Sequence, residues 1–393
     1  MKARVLFALL LVPFALHAQG DTVATQHVAP GITYRHIVEP KGPFEIHVLH
    51  VSLQRADLEI RHARAHDQLK GRETTSGMAK RAVDGGAHVV AAINGDFFNL
   101  ATGENENNQV IAGEWWKGLK VTDSPSDMFD NVHVQLAIDR AGRPAIDRFI
   151  LDAHAWAHEK ATPILTVNFN PSGRSEGTAL YTPRFGPSAP RDSARKTVEA
   201  ALTTAGRRGD TLLFVRLGPV SQTSGSAIPV DGAVLAAYGA GSRMQEVLAM
   251  QPGDTVRVLL GTLPKLSSGA PVTLIGGWPR ILRDGVDVSA DEPTVEGATS
   301  HLAEQRHPRT AVGFSQDSTT LILLTVDGRS ESSGGMTLGE LARHMRNLGA
   351  WQAMNLDGGG STTLIVNGVL VNKPSDAAGE RAVGNALLVI RKE

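Results

Sequence analysis

The feature that most restricts the fold is a run of three glycines between two apolar segments. Ala353–Leu356 and Thr363–Val366 have the composition of buried strands, and Asp357, Gly358–Gly360 and Ser361 lie between them. Glycine loses more backbone entropy on folding than any other residue, so an ordinary turn has little use for three in a row. Such a run suits a loop where backbone approaches a ligand closely, or where successive amide N–H groups form an anion-binding nest. It therefore predicts a ligand-binding loop at the end of a buried strand.

Polar residues stand at the ends of other predicted strands in the same way. Val89–Ile93 has the pattern of a buried strand and runs directly into Asn94. Arg309 precedes an apolar strand, Asp327 follows the next one, and Arg381 enters the last predicted strand. Each of these residues also has an ordinary structural interpretation, as part of a turn or as a charge at a sheet edge. From the residues alone, both interpretations stay open.

The order of strands and helices predicts an α+β fold. Short apolar runs separated by turn residues predict strands along most of the chain. Two segments have helical spacing: Thr74–Val83, and Thr337–Leu348, where Thr337 and Glu340 form a capping box. We expect a mixed sheet core with flanking helices, plus a β-rich inserted module. The predicted boundaries are 19–126 and 271–393 for the two parts of one domain, and 127–270 for the module.

Residues 1–18 have the pattern of a secretory signal peptide. Lys2 and Arg4 precede the apolar run Val5–Leu16, and Ala18 offers a small residue for cleavage. The run is too short to span a bilayer comfortably, and an uncleaved anchor is the alternative. We expect a periplasmic or secreted protein without a stable membrane anchor, whose mature chain begins near Gln19.

Composition excludes several classes of function. The chain has no cysteine, which removes disulfides, thiolate metal sites, iron–sulfur clusters and a cysteine nucleophile. Its 39 basic and 40 acidic residues leave no overall positive charge to hold nucleic acid. The His-Glu-x-x-His, Walker A and dinucleotide motifs are absent from the sequence. We expect no cofactor and no nucleic-acid partner.

Taken in chain order, the motifs resemble the phosphodiester glycosidase family. The most specific match is the Asn355–Ser361 stretch in its strand–loop–strand setting. Asp96 departs from the family pattern, which more often has a small or aromatic residue there. The other matching segments are Asn94-Gly95 with Phe98, Gly103-Glu104, Arg309-Thr310-Ala311-Val312-Gly313, Asp327-Gly328, Pro374-Ser375-Asp376 and Arg381.

The resemblance implies hydrolysis of a sugar-1-phosphodiester, of the N-acetylglucosamine-1-phosphodiester type, to free sugar and a phosphomonoester. It implies Asp357, Asp327 and Glu104 as the catalytic carboxylates. The arginines would bind the phosphate, and the glycine amides would take its remaining oxygens. The substrate-binding residues that it implies are Asn94, Arg309, Thr310, Gly358, Gly359, Gly360, Ser361, Asp376 and Arg381.

Two other functions stay open: a non-catalytic glycan-binding protein of the same fold, and a phosphodiesterase that cleaves on the phosphorus side. Nothing in the sequence demands a metal, although several carboxylates in one cleft could hold Ca²⁺. Because the motifs come from both ends of the chain, we expect Asn94 and Asp357 to meet in one cleft.

Overall fold

The computed structural model describes residues 21–122, 124, 127–170 and 176–392. The predicted signal peptide lies outside these residues. The strands are β1 (Asp21–Ala29), β2 (Ile32–Glu39), β3 (Phe44–Ser52), β4 (Leu58–Arg64), β5 (His88–Asn94), β6 (Gln109–Ile111), β7 (Glu114–Lys117), β8 (Gln135–Ile138), β9 (Pro144–Asp147), β10 (Ile150–Trp156), β11 (Thr162–Ile164), β12 (Thr166–Val167), β13 (Gly177–Tyr181), β14 (Thr197–Arg208), β15 (Thr211–Arg216), β16 (Gly232–Tyr238), β17 (Thr255–Leu263), β18 (Thr273–Gly276), β19 (Arg280–Arg283), β20 (Val286–Asp287), β21 (Arg309–Phe314), β22 (Thr320–Val326), β23 (Gln352–Leu356), β24 (Leu364–Val366), β25 (Val369–Leu370) and β26 (Asn385–Arg391).

Helices are few and short in the described part of the chain. Short 3₁₀ turns occupy Ala65–Asp67 and Gly359–Ser361. The α-helices are α1 (Thr75–Asp84), α2 (Ser242–Leu248), α3 (Glu292–Val295), α4 (Ser300–Glu304) and α5 (Leu338–Asn347). Both predicted helices are confirmed as α1 and α5.

The caps of these two helices are also those expected from the sequence. The Thr74 side chain accepts from the Gly77 amide at the start of α1. Thr337 and Glu340 form the capping box of α5. These side chains satisfy amide groups that a helix leaves unpaired in its first turn.

The prediction of an α+β fold with a mixed sheet core is wrong. The protein is mostly β-sheet, and the described strands form two eight-stranded and two five-stranded sheets. All strand pairs in the described residues are antiparallel except β12 with β13. The physical reason is that most apolar runs are only three to nine residues long and end in turn residues rather than in crossover helices. Consecutive strands such as β1 and β2 therefore pair as antiparallel hairpins, and distant strands such as β3 and β22 also pair in the antiparallel direction.

Three of the four sheets combine distant parts of the chain. The first sheet has the order β1-β2-β3-β22-β21-β23-β19-β20, and the fourth has the order β25-β24-β5-β26-β4. The third sheet has the order β7-β6-β18-β8-β9, and its strands come from all three of the segments predicted from the sequence, 19–126, 127–270 and 271–393. The second sheet, β11-β10-β17-β15-β14-β16-β13-β12, uses only strands between Ile150 and Leu263.

The sheets pack face to face, and helices cover only part of their other faces, with α5 on the first sheet and α1 on the fourth. One apolar core joins Leu49 and Leu323 of the first sheet, Leu136 of the third, and Val90 and Leu387 of the fourth, all of them buried. Burial of such side chains contributes about 1.5–3 kcal/mol each. This shared core holds the ends of β5, β21 and β23 close together. In the described part of the chain, no helix has the length and apolar character needed to cross a membrane.

Candidate functional site

Asn94, the last residue of β5, joins three segments at one point. Its Nδ2 donates to the Asp357 carbonyl oxygen at 2.6 Å. Its Oδ1 accepts from the Thr310 hydroxyl at 2.8 Å and from the Thr363 amide at 3.0 Å. The expectation that Asn94 and Asp357 meet is therefore confirmed. Because all these partners belong to the protein and the side chain is fully buried, Asn94 and Thr310 form the frame of the site.

The glycine loop does not form the predicted nest of three free amides. The Asp357 amide donates to the Gly95 carbonyl oxygen at 3.0 Å, which fixes the start of the loop. The Gly359 amide donates to the Pro308 carbonyl oxygen at 2.9 Å. The Gly358 amide bonds to the Asp357 carboxyl group. Two of the three glycine amides thus already have protein partners.

The glycines instead allow two guanidinium groups to approach the loop. Gly359 has a φ of +60°, and a Cβ there would lie 3.1 Å from Nη2 of Arg329. A Cβ on Gly360 would collide with Arg381 Nη2 and with Asp376 Oδ1. A side chain at either position would therefore strain the loop or displace a cation from it. The result is a short backbone turn that carries two arginines on its surface.

Both arginines have room to bind an additional anion. Arg381 Nε and Nη2 donate to Asp376 at 2.8 and 3.0 Å, and about a third of its side chain is exposed. Arg329 is exposed, and its Nη1 donates to Ser375 Oγ at 3.2 Å. A guanidinium group has five N–H donors, so these contacts leave donors available on each arginine. The segment around Ser375 and Asp376 thus holds both cations over the loop.

The Asp357 carboxyl group lies at the start of this loop in a desolvated environment. Burial raises the pKa of Asp357 to about 7. The nearby Ser361 hydroxyl and the Arg381 guanidinium oppose the rise, whereas the charge of Asp96 adds to it. Ser361 itself is fully buried, and its Oγ has no partner with ordinary hydrogen-bond geometry among the described residues. A carboxyl group that exchanges its proton near neutral pH is suited to acid–base chemistry.

Two further buried carboxyl groups belong to the same cluster. Asp96 is 1% exposed, and Oδ1 and Oδ2 accept from the side chain and backbone of Asn107 at 2.8 and 3.2 Å. Burial raises the pKa of Asp96 to about 6, against the effect of those hydrogen bonds. Glu106 is 7% exposed, and burial together with the charge of Asp96 raises its pKa to about 7. Asp96, Glu106 and Asp357 form what we call the carboxyl cluster.

A hydrogen-bonded histidine–aspartate pair and an aromatic pair support one side of the cluster. His133 Nε2 lies 2.8 Å from Asp127 Oδ1, and the His133 ring stacks on Trp278 with centroids 4.9 Å apart. Phe97, next to Asp96, meets Trp278 edge-on at 5.5 Å and is only partly buried. The charge of His133 lowers the pKa of both Asp96 and Glu106. Within the described residues, no group of three His, Asp or Glu side chains is placed to hold a metal ion.

The structure places Arg309 away from any phosphate position. Its side chain is 1% exposed, and Nε donates to the Met336 carbonyl oxygen at 2.8 Å. Nη2 donates to the carbonyl oxygens of Leu302 and Gln305 at 2.6 and 3.0 Å. Burial lowers the pKa of Arg309 to about 9. This guanidinium group fastens backbone segments to one another, which is a structural role.

Asp327 likewise has its oxygens occupied by protein donors. The Lys373 amide donates to both oxygens at 3.0 Å, and Asn372 Nδ2 donates to Oδ1 at 3.2 Å. His47 Nε2 lies 3.7 Å from Oδ2. Asp327 therefore anchors the segment that leads to Ser375 and Asp376, and its geometry is that of a positioning residue.

Glu104 faces a different part of the molecule. Its carboxylate lies 3.1 Å from Lys117 Nζ and 3.7 Å from Lys70 Nζ. It lines a separate cleft with Phe169 and Asn170. The structure thus brings Asp357, the glycine loop, Ser361, Asp376 and Arg381 together, but not the Glu104 carboxylate.

Sequence reasoning missed Asp96, Glu106 and Arg329 as site residues. For Asp96, the available signal was its departure from the family pattern. Glu106 belongs to the polar run Asn105–Gln109, which is buried throughout although its composition is typical of a solvated loop. Arg329 directly follows the predicted Asp327-Gly328 turn, and its φ of +59° shows that the chain has left the extended conformation of β22 at this residue.

Comparisons with known proteins agree with the resemblance. The phosphodiester glycosidase family matches this chain over residues 205–390. That segment contains Asp357, the glycine loop, Arg329 and Arg381, but not Asp96 or Glu106. One curated relative, N-acetylglucosamine-1-phosphodiester alpha-N-acetylglucosaminidase from Mus musculus, is 36% identical over 112 residues, which are 27% of this chain and 21% of that protein. The resemblance to the phosphodiester glycosidase family is therefore confirmed.

Two solved structures share the fold. A hypothetical protein from Synechocystis has a TM-score of 0.70 at 22% identity, covering 94% of this chain and 63% of that one. A candidate exported protein from Burkholderia pseudomallei has a TM-score of 0.65 at 22% identity, covering 88% of this chain and 74% of that one. The chain matches only about a fifth of the length of the curated glycosidase relatives.

Proposed function

We propose that the protein hydrolyses a sugar-1-phosphodiester of the N-acetylglucosamine type. Water adds to the anomeric carbon, the bond between that carbon and the bridging oxygen breaks, and the phosphomonoester leaves with the bridging oxygen. One proton from the water goes to the site's base, and the products are free sugar and phosphomonoester. The curated relative named above supports this substrate class, because its name states it.

The observation that carries the proposal is the glycine loop with a carboxyl group at its start and two guanidinium groups on its surface. Arg329 and Arg381 would hold the phosphate oxygens, and their charge would stabilise the leaving phosphomonoester. Asp357 is at the same loop, so a phosphate bound there has its sugar carbon within reach of a carboxyl group. A sugar-1-phosphodiester needs a cation beside its phosphate and a carboxylate beside its anomeric carbon.

The carboxyl cluster can supply both an acid and a base near neutral pH. The pKa values of Asp96, Glu106 and Asp357 lie at about 6, 7 and 7. Because the three groups interact, they titrate as a unit and part of the cluster keeps a proton while part is ionised. We assign Asp357 to the anomeric carbon or its attacking water, and Asp96 with Glu106 to holding the proton. A phosphomonoester is a good leaving group, so protonation of the bridging oxygen is not required.

Hydrolysis in ¹⁸O-labelled water tests the proposal directly. The substrate is N-acetyl-α-glucosamine 1-(methyl phosphate), and the products are read by phosphorus NMR and mass spectrometry. Attack at carbon gives unlabelled methyl phosphate and labelled sugar. Attack at phosphorus gives labelled phosphate products and would replace the proposal with a phosphodiesterase. Sugar binding without turnover would instead favour a non-catalytic glycan-binding protein.

A matched variant shows which site is responsible. Asp357→Asn keeps the size of the side chain and removes its charge, so turnover at the proposed site should fall by roughly 10²–10⁴-fold. Turnover that survives this change would mean that the hydrolysis comes from elsewhere in the preparation or the molecule.

A further inference from the structure

A second cleft lies where residues 68–70 and Glu104 face residues 168–170 and 184–185. Its volume is about 590 Å³. Cavities of this size hold small organic ligands, and a sugar unit or two would fit. None of the groups assigned above to hydrolysis lines this cleft, so the proposed reaction does not account for its lining.

The walls combine aromatic surface with the side-chain amides of Gln68 and Asn170. Phe169 and Phe185 line the cleft, and Lys117 Nζ lies over the Phe169 ring, 4.8 Å from its centroid. The exposed Gln68 side chain makes no hydrogen bond to the described residues. The Asn170 side chain uses Oδ1 to accept from Arg195 at 2.9 Å. Aromatic rings that stack on C–H faces, beside amides that pair with hydroxyls, are the chemistry that recognises carbohydrate.

Each charged side chain at the cleft has an oppositely charged partner within the protein, with Lys70 and Lys117 sharing Glu104. Lys70 Nζ lies 3.7 Å from Glu104, and Glu104 also pairs with Lys117 at 3.1 Å. Arg184 donates to both oxygens of Glu114 at 3.0 and 2.8 Å. An anionic ligand would have to compete with these carboxylates, and a cationic one with the ammonium groups. A neutral, hydroxyl-rich ligand would avoid that competition.

One layer of side chains separates the cleft from the carboxyl cluster. Glu104 contacts Lys117, whose Nζ donates to the Asn105 carbonyl oxygen at 2.6 Å. Asn105 Nδ2 in turn donates to the Asp96 carbonyl oxygen at 3.2 Å. A chain of sugars in the cleft would therefore lie beside the residues of the candidate active site.

We propose that this cleft binds a neutral oligosaccharide, so that the protein holds a glycan chain rather than a single sugar phosphate. The inference rests on the proposed function for the link between this glycan and the substrate. It predicts saccharide binding that depends on Phe169 and is independent of Asp357.

Titration calorimetry with chitotetraose tests the inference, with cellotetraose and maltotetraose as alternative probes. Phe169→Ala should weaken binding about tenfold, the loss expected when a contact ring is truncated. Phe169→Tyr keeps the ring and should bind like the natural chain. Gln68→Ala, an exposed position, should weaken binding without affecting folding, and it serves if Phe169→Ala does not fold. Asp357→Asn should bind the tetrasaccharide normally.

The result that would overturn the inference is no binding of any of the three tetrasaccharides. Binding that is unaffected by both Phe169→Ala and Gln68→Ala would also overturn it, since the sugar would then lie elsewhere. Loss of binding in Asp357→Asn would place the sugar in the active site and reject the cleft. Absence of turnover in the labelled-water experiment would reject the proposed hydrolysis while leaving a Phe169-dependent affinity in place, so the two failures are distinguishable.

Discussion

Replacing Asp357 by Asn should make the protein more stable at alkaline pH while it removes activity. Burial raises the pKa of Asp357 from 3.8 to about 7 in the folded protein. A tenfold change in proton affinity corresponds to about 1.4 kcal/mol, so ionising this buried group costs folding roughly 4 kcal/mol at most. Asparagine is neutral at every pH but still needs hydrogen bonds. We therefore expect the variant to regain about 1–2 kcal/mol of the free energy of unfolding that ionisation of Asp357 costs.

The sign of the effect follows from the direction of the shift. The folded state binds the proton of Asp357 more tightly than the unfolded chain does, so this group's contribution to stability falls as pH rises from about 4 to about 7. At about pH 5 the carboxyl group is protonated in the folded protein. The unfolded chain is already mostly ionised at this pH, so part of the loss is present, and the natural chain and Asp357→Asn should differ less at pH 5 than at pH 8. At about pH 8 the variant should be the more stable one.

Urea unfolding at the two pH values, with initial rates on the phosphodiester, measures both consequences. Asp317→Asn is a control of opposite sign, because the Ser315 hydroxyl and Thr319 lower the pKa of the exposed Asp317. That control should lose stability at pH 8 and keep normal turnover. Asp357→Asn with near-normal turnover and lower stability at pH 8 would refute the reasoning. The residue would then only cap the glycine turn, and Asp96 and Glu106 would become the leading carboxylates.

Other predictions follow from the same contacts. Arg381→Ala should raise KM for the phosphodiester about tenfold or more and spare an aryl glycoside without phosphate, as steady-state rates on both substrates would reveal. Arg309→Ala should instead lower the free energy of unfolding by about 2–4 kcal/mol, because a buried guanidinium group and its bonds to three backbone carbonyl oxygens are lost, and equal loss on both substrates is the expected kinetic result. Asp327→Asn should lower kcat because the segment around Lys373 is displaced, and the midpoint of the pH profile of kcat should stay unchanged. A shifted midpoint would indicate that Asp327 is a catalytic residue after all. Mass spectrometry of protein from the native host should give a mature start near Gln19, and an intact Met1–Ala18 segment on soluble cytoplasmic protein would contradict export.

The elements with strong local signals could be predicted from the sequence. The capping box at Thr337 and Glu340 has a local physical cause, so α5 begins where expected. The strand–loop–strand unit around Asp357 was also recognisable, because an ordinary turn between two apolar strands seldom needs three consecutive glycines. The fold class was not, since it depends on which hairpins share a core. Apolar runs of four to eight residues look the same whether a helix layer or another sheet covers them.

Residues of the candidate site could be recognised in the sequence where they are unusual for their position, and could not where they are ordinary. Asn105–Gln109 has the composition of a surface loop, yet Asp96, Lys117 and the third sheet bury it. Burial of this kind depends on contacts across more than one sheet, which no local pattern records. The prediction that Arg309 binds phosphate was wrong for the converse reason. An arginine beside an apolar strand looks the same whether it binds a ligand or three backbone carbonyl oxygens.

Assembly of the site and closure of the fold depend on the same hydrogen bonds. Asn94 connects β5 of the fourth sheet to Asp357, to Thr310 of the first sheet and to Thr363. The Asp357 amide donates a hydrogen bond to the Gly95 carbonyl oxygen. The carboxyl cluster can be kept desolvated only when these segments are joined, because Asp96 comes from one of them and Asp357 from another. The raised pKa values are therefore a property of the closed fold, and the stability lost by burying acidic groups is offset by the shared apolar core beneath them.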